Sequence, residues 1–225
     1  MPVHSRLIAI SQPLAPATEA FRQLRTSVLS YSGDRPLQTI MVTSPMAQEG
    51  KTSVVANLAI TLAQAGRTVI LVDADLRQPS LHTLFDVPGG RGLTSALLEP
   101  VGELPLQATG VDNLRLLAGG PHAPNPSELL ASPRMAEVIA ELRGQAAFVL
   151  FDASLIVAVT DAAVLAPLVD GVLLVLQSAK SRRDLAERAK DQLERVHANV
   201  LGVVLTDVPG AGTPRSYGTS LTNPA

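Results

Sequence analysis

The sequence predicts an α/β fold: a doubly wound, mostly parallel sheet with a P-loop nucleotide-binding site. Three features predict it. Short apolar runs that suit strands alternate with segments of helical periodicity, the pattern of βαβ units. Of the 225 residues, 46% are hydrophobic and only 3% aromatic, so the core is aliphatic, as parallel strands buried on both faces require. A Gly50-Lys51-Thr52 triplet falls between the first such strand and the next helix.

Met1 to Pro16 reads as an irregular arm. Phe21, Leu24 and Val28 give Thr18 to Ser30 helical spacing, ended by Ser32-Gly33-Asp34-Arg35-Pro36. Gln38 to Thr43 is a β-branched run, a strand. Val55, Leu58, Ala59 and Leu62 then mark an amphipathic helix that Gly66 stops. Thr68 to Val72 is a second buried strand. Arg77 to Pro105 is loop-rich, with a short helix at Thr94 to Leu98. Leu114 to Leu117 reads as a strand. Asn125-Pro126-Ser127-Glu128 and Ser132-Pro133 are helix starts, the second followed by Met135, Val138, Ile139 and Leu142 on one face. Strands at Ala147 to Phe151, Gly171 to Leu176 and Val200 to Leu205 alternate with helices at Ala162 to Leu168 and Arg182 to Val196. Pro209 to Ala225, rich in Gly, Pro, Ser and Thr, reads as a mobile tail. The expected organisation is an arm and helix over 1–36, a P-loop domain over 37–208 and a tail over 209–225.

Composition removes several classes. The net charge of −2 gives no global attraction to nucleic acid or to an anionic membrane. The basic residues of Arg182 to Val196 are interleaved with acids, which reads as a salt-bridged helix. No cysteine is present, which excludes disulfides, thiolate zinc sites and thiol catalysis. The four histidines show no metal spacing. Met1 to Ile10 has no h-region of a signal peptide, and Ala162 to Leu176 is too short and too interrupted to span a membrane.

The chemistry centres on Ser44 to Thr52. Gln48, Glu49, Gly50, Lys51, Thr52 and Ser53 are placed to cradle phosphate with backbone N–H groups and a helix N-terminus. Lys51 would reach the β- and γ-phosphates of ATP, and the Thr52 hydroxyl would coordinate Mg²⁺. Two further strands end in carboxylates: Val69 to Asp75, carrying Asp73 and Asp75, and Phe148 to Asp152. Ligands of an open parallel sheet sit beyond the carboxyl ends of its strands, so these acids converge where Mg²⁺ needs oxygen ligands. A single Asp after a strand is more commonly a cap or turn residue. Three such acids behind a Gly-Lys-Thr point to nucleotide.

On these residues the chain resembles the bacterial tyrosine kinases of exopolysaccharide and capsule synthesis, over roughly Glu19 to Val208. Glu19-Ala20-Phe21-Arg22-Gln23-Leu24-Arg25-Thr26 resembles that family's oligomerisation helix, and Lys51 and Thr52 fall on its Walker A motif. Val72 to Pro79 resembles its Walker A′ motif and Phe151-Asp152 its Walker B. Pro124 to Leu130 and Val159-Thr160-Asp161-Ala162 match further signatures. The resemblance implies an ATP-dependent protein-tyrosine kinase that autophosphorylates in its C-terminal tail. It also implies a homo-oligomer held through Glu19, Arg22 and Arg25, and protein tyrosine substrates. The cytoplasmic type without membrane spans would be recruited to the membrane by an anchored chain-length or activator protein. Thr52 and Asp152 would hold Mg²⁺; Asp73 or Asp75 would accept or orient the tyrosine proton. Arg77 would contact phosphate or tyrosine, or simply be an exposed loop residue.

Three positions depart from the pattern. The family's Pro-Gly in the P-loop is Ala47-Gln48, and a Gln enters φ > 0 less readily than Gly, which would distort the phosphate nest. Its Thr-Pro-Pro after the Walker B Asp is Ala153-Ser154-Leu155, and its tyrosine-rich tail is reduced to Tyr217, the expected phosphorylation site. A catalytically weak nucleotide-binding adaptor of a polysaccharide-export complex is therefore the second reading. A partitioning or septum-positioning ATPase is the third, disfavoured because Met46 stands where such proteins carry a second lysine.

Overall fold

Seven strands form one sheet in the order β3-β4-β2-β5-β1-β6-β7 among the residues that the structure, a computed structural model, describes (7–31, 36–99 and 102–209). The strands are β1 Thr39–Thr43, β2 Val69–Ala74, β3 Gln107–Ala108, β4 Leu114–Leu117, β5 Phe148–Ala153, β6 Gly171–Gln177 and β7 Val200–Thr206. All pairs are parallel except β3 with β4, where a two-residue strand not anticipated from the sequence pairs antiparallel at the edge. β1, β2 and β5 are buried at every position, the cause of their continuous apolar runs.

Helices cover both faces. On one face lie α5 (Leu93–Leu98), α6 (Pro126–Leu130), α7 (Pro133–Arg143), α8 (Asp161–Leu165) and α9 (Arg183–Arg195), packed over Val72, Val149, Phe151 and Leu174. The other face carries α3 (Lys51–Gln64) and α4 (Leu81–Phe85) over Val42, Leu71, Leu150 and Val175. The helix α4 stands inside a segment that reads as loop in the sequence. It is five residues long, too short to show a period, and is fixed by burial of Leu81 and Phe85.

The amino-terminal segment departs from the irregular arm that its sequence suggests. Residues Ile8–Ser11 form a short helix, α1, which precedes α2 (Pro16–Leu29), and Leu7 and Ala9 enter the core. Both helices pack on α3. For this reason α3 is buried at every residue from Val54 to Ala63 and is not the amphipathic surface helix that the sequence predicts. Asn57, fully buried on α3, accepts the Ala9 N–H at 2.9 Å and donates to the Ser53 carbonyl at 2.8 Å. Arg25 reaches across from α2 to the Thr61 carbonyl at 3.2 Å.

The strand order places the carboxyl ends of β1, β5 and β2 side by side. Asp73 lies directly opposite Asp152 in the β2–β5 register. Glycine serves close packing at Gly92, where a Cβ would lie 1.9 Å from the Ala118 carbonyl oxygen; the contact lets α5 start against the end of β4.

Asn57 supplies a buried polar tie from α3 to α1, so Asn57→Ala is expected to lower stability by about 1–3 kcal/mol, the cost of leaving the buried Ala9 N–H unpaired. Urea unfolding measures it, and a loss below about 0.5 kcal/mol would mean that α1 is not docked in solution.

Candidate functional site

Lys51 opens α3 directly after Gly50, whose φ of +90° turns the chain from the loop into the helix. The first N–H groups of a helix lack intrahelical partners and point outward, which makes this end an anion site. Gln48 also takes a left-handed conformation, with φ +66°. The loop thus keeps the turn that a glycine would adopt, at a cost of about 1–2 kcal/mol for a residue with a Cβ. Gln48 thus enters the left-handed region that the expectation of a distorted loop took it to resist.

The Lys51 ammonium lies 2.8 Å from Asp75 Oδ2 and 3.2 Å from Asp152 Oδ1. Thr52 Oγ1 donates to Asp152 Oδ2 at 2.6 Å. Three strands therefore bring their predicted residues together. Burial works against the ammonium, yet the charges of Asp152 and Asp75 and their hydrogen bonds outweigh it and hold the Lys51 pKa above its ordinary value. Burial also raises the Asp152 pKa, and only part of that rise is offset by Lys51 and Thr52. The Lys51–Asp152 pair favours both charged forms, but Asp152 is fully buried and its desolvation prevails.

Asp73 is separated from Asp75 by the strand geometry. Asp75 has just left β2 and faces Lys51; Asp73 is still within β2 and fully buried. Asp73 Oδ2 accepts the N–H groups of Ser80 at 2.8 Å and Leu81 at 2.9 Å, while its Oδ1 has no partner. Burial, then the charge of Asp152, push its pKa up to about 7, against the two N–H bonds. Asp152, which accepts from Thr52 Oγ1, offers the oxygen ligand that a hard cation takes, and the unpartnered Asp73 Oδ1 belongs to the residue opposite it in the sheet. No group of three or more His, Cys, Asp or Glu among the described residues forms a metal cage. Mg²⁺ binds through one or two carboxylates and shared phosphate oxygens, so the donor set fits it.

The substituted turn after Asp152 is held by β1. Thr43 Oγ1 donates to the Ser154 carbonyl at 2.6 Å, and Ile156 N–H donates to the Ser44 carbonyl at 3.0 Å. These bonds supply locally the rigidity that two prolines would give. Arg77 contacts no residue of the Lys51 cluster by hydrogen bond. Its Nε and Nη2 grip the two oxygens of fully buried Asp161 at 2.8 and 3.0 Å, and Ser127 Oγ donates to the same carboxylate. This tie between the β2 loop, α6 and α8 was not deduced from the sequence; the only signal was that all three segments carry motif residues.

A cleft of about 640 Å³ opens beside the loop, lined by Gln48, Gly50 and Ser53, by Phe21 of α2 and by Thr206 and Val208 at the end of β7. Tyr217 lies outside the described residues. Glu19 and Arg22 pair with each other at 3.1 Å on the surface of α2, and Arg22 also donates to the Pro13 carbonyl at 3.0 Å. Because Arg25 is turned toward α3, the three residues do not form one free face.

The raised Asp73 pKa sets a pH dependence. Its contribution to stability is fully present below about 3.8, the value of an ordinary Asp, and is lost as pH rises through about 7. Asp73→Asn keeps an acceptor for Ser80 and Leu81 and removes the charge. Without nucleotide the variant is expected to be more stable than the parent at pH 8 by up to about 4 kcal/mol, with little difference at pH 4. Parallel stability–pH curves for the two proteins would overturn the assignment.

Residues 40–221 match the family model described as CobQ/CobB/MinD/ParA nucleotide binding domain. The tyrosine-protein kinase YwqD of Bacillus subtilis (strain 168) is 39% identical over 200 residues, covering 88% of this chain and 84% of that protein. The tyrosine-protein kinase Wzc of Salmonella typhi is 35% identical over 206 residues, which are 91% of this chain but 28% of Wzc. The kinase domain of the Escherichia coli tyrosine kinase ETK superposes with a TM-score of 0.86 at 32% identity, covering 94% of this chain and 84% of that domain. A P-loop whose lysine faces aspartates from two neighbouring strands, on a sheet shared with these relatives, places the chain in the CobQ/CobB/MinD/ParA nucleotide-binding family and, within it, among the bacterial tyrosine-protein kinases.

Proposed function

We propose that the protein is an ATP-dependent protein-tyrosine kinase that phosphorylates its own tail and regulates exopolysaccharide or capsule synthesis. The observation that carries this reading is the Lys51 ammonium between Asp75 and Asp152, with Thr52 on Asp152, at the N-terminus of α3. Phosphoryl transfer needs positioning and charge stabilisation more than covalent chemistry, and this corner of the sheet supplies both.

The backbone of Gln48 to Ser53 receives the phosphates. Lys51 leaves its carboxylates for the β- and γ-phosphates, which frees Asp75 and Asp152. Thr52 Oγ1 and Asp152 would hold Mg²⁺, which when bound neutralises developing phosphate charge. Asp73, with a free Oδ1 and a pKa of about 7, is suited to take the proton of the acceptor tyrosine. Asp75, released from Lys51, would orient the acceptor hydroxyl. Arg77, held on Asp161, borders the site with its remaining guanidinium donors. The apolar walls of the neighbouring cleft suit the nucleoside half of ATP.

The acceptor is assigned to Tyr217, which follows β7 closely enough in sequence for its segment to reach the carboxyl ends of the strands. Tyr31 is poorly placed for the role. Its hydroxyl accepts a hydrogen bond from Asn199 at 3.1 Å, just before β7 begins and therefore at the opposite end of the sheet. No helix among the described residues is long and apolar enough to cross a membrane. Recruitment from the cytoplasm by a membrane-anchored activator is part of the proposal on the likeness to the bacterial tyrosine kinases.

Incubation of the purified protein with labelled ATP and Mg²⁺, with and without an activator, tests the reading. We expect about one phosphotyrosine per chain, lost in Tyr217→Phe, and a fall of about 100-fold or more in rate for Lys51→Met. Absence of phosphotyrosine under both conditions, with ATP still bound, would establish the adaptor function.

Assembly through α2 is tested by exchanging charges in Glu19→Arg with Arg22→Glu. The exchange preserves the local pair and leaves Arg25 on α3, but presents reversed charge to a neighbouring copy. Light scattering is expected to show the unmutated chain as a homo-oligomer and the exchanged chain shifted to monomer; equal masses would sink the idea.

A further inference from the structure

A carboxylate in an anion-binding loop opposes its ligand, because like charges repel across the few ångströms involved. Glu49 is such a group, adjacent to Gly50 and Lys51, and it is 4% exposed. Its side chain makes no bond to Lys51. Oε2 accepts the Met46 N–H at 2.9 Å and so closes the loop on itself. Oε1 accepts the hydroxyl of Ser181, which lies in the connection between β6 and α9. Ser181 Oγ in turn accepts the Gln177 N–H at 2.7 Å. The Glu49 carbonyl accepts Thr206 Oγ1–H at 2.8 Å, at the end of β7.

Glu49 is therefore tied to three places: the start of its own loop, the β6–α9 connection and the last residue of β7. Its neighbours Gln48 and Gly50 are the two loop residues with left-handed φ. A strained turn persists only where its surroundings over-determine it, and the ties of Glu49 surround this one. An acceptor is needed at both oxygens, which a carboxylate provides and an amide does not. Hydrogen bonds to an ionised acceptor are also the stronger kind.

We propose that Glu49 is a positioning residue that holds the phosphate-binding backbone in shape and, through Ser181, couples nucleotide occupancy to the conformation of residues 178–182. The proposal rests on the nucleotide-binding reading of the site. Glu49 acts through the loop backbone: its bonds to Met46 and Thr206 bracket Gln48 and Gly50 in the phosphate-binding segment. A nucleotide that tightens the loop tightens the Ser181 contact, and a change imposed on the β6–α9 connection alters nucleotide affinity by the same factor. The connection is exposed at Arg182 and Arg183, so a partner could reach it from outside.

The test uses the whole chain, with Ser181→Ala, Glu49→Ala and the double variant, and Ser181→Thr as the conservative control. Calorimetry with ADP and Mg²⁺ reads affinity, thermal unfolding without nucleotide reads stability, and hydrogen exchange reads residues 46–50 and 178–182 with and without nucleotide. We expect Ser181→Ala to weaken binding about tenfold and Glu49→Ala at least as much, with the double variant no weaker than Glu49→Ala, since both cut one link. Ser181→Thr restores binding. Nucleotide should protect residues 178–182 in the unmutated protein and not in Ser181→Ala, a difference that loss of stability alone does not produce. Equal affinities across the variants, or protection at 178–182 that survives Ser181→Ala, overturn the coupling and leave the nucleotide site standing. An unmutated chain that binds no nucleotide overturns the reading of the site and this proposal with it.

Discussion

The ammonium of Lys51 lying between Asp75 and Asp152 is the contact on which the rest of this corner depends. The sheet order puts β1, β5 and β2 next to one another, so aspartates at their carboxyl ends crowd together. Like charges in a buried cluster cannot all ionise without a cation. Lys51 is that cation; it bonds Asp75 and Asp152 but not Asp73, whose pKa is pushed up to about 7 and whose Oδ1 is unpartnered. The burial that opposes ionisation of Asp73 and Asp152 is thus offset at one point, the Lys51 ammonium.

Rigidity around this cluster comes from side chains where the motifs of related kinases use special backbone residues. Gln48 occupies a conformation that glycine would enter freely, and the ties of Glu49 on either side keep it there. After Asp152 the turn is fixed by Thr43 and Ser44 of the β1 end. Lys51, Thr52 and Asp152 meet on this frame, which carries local strain at Gln48 and a buried Ser154 hydroxyl oxygen without a partner. The order of the site depends on the same strands that supply its chemistry.

Further out, the Arg77–Asp161–Ser127 cluster shows how distant motifs become one structure. Asp161 is fully buried, and a buried carboxylate is stable only when paired and hydrogen-bonded. Arg77 and Ser127 meet that requirement, and in doing so they lock the β2 loop to the start of α6 and of α8. Arg77, read from the sequence either as a phosphate or tyrosine contact or as an exposed loop residue, thereby joins the β2 loop to α8.

The sequence by itself determined the parallel α/β class, the order of its main elements and that Lys51, Thr52 and strand-end aspartates would lie at the carboxyl ends of neighbouring strands. The reason is that continuous aliphatic runs, helix starts at Asn125-Pro126 and Ser132-Pro133, and Gly50-Lys51-Thr52 are local signals with local physical causes. It did not reveal α1 or the complete burial of α3, because both follow from contacts with residues far along the chain, such as Ala9 on Asn57. Nor could it separate Asp73 from Asp75: two residues apart in sequence, they have similar local signals, and only the register of β2 on β5 buries one and turns the other to Lys51. The partners of Glu49, Arg77 and Asp161 were likewise decided by the tertiary structure alone, since a hydrogen bond across 84 or 132 positions leaves no periodicity to read.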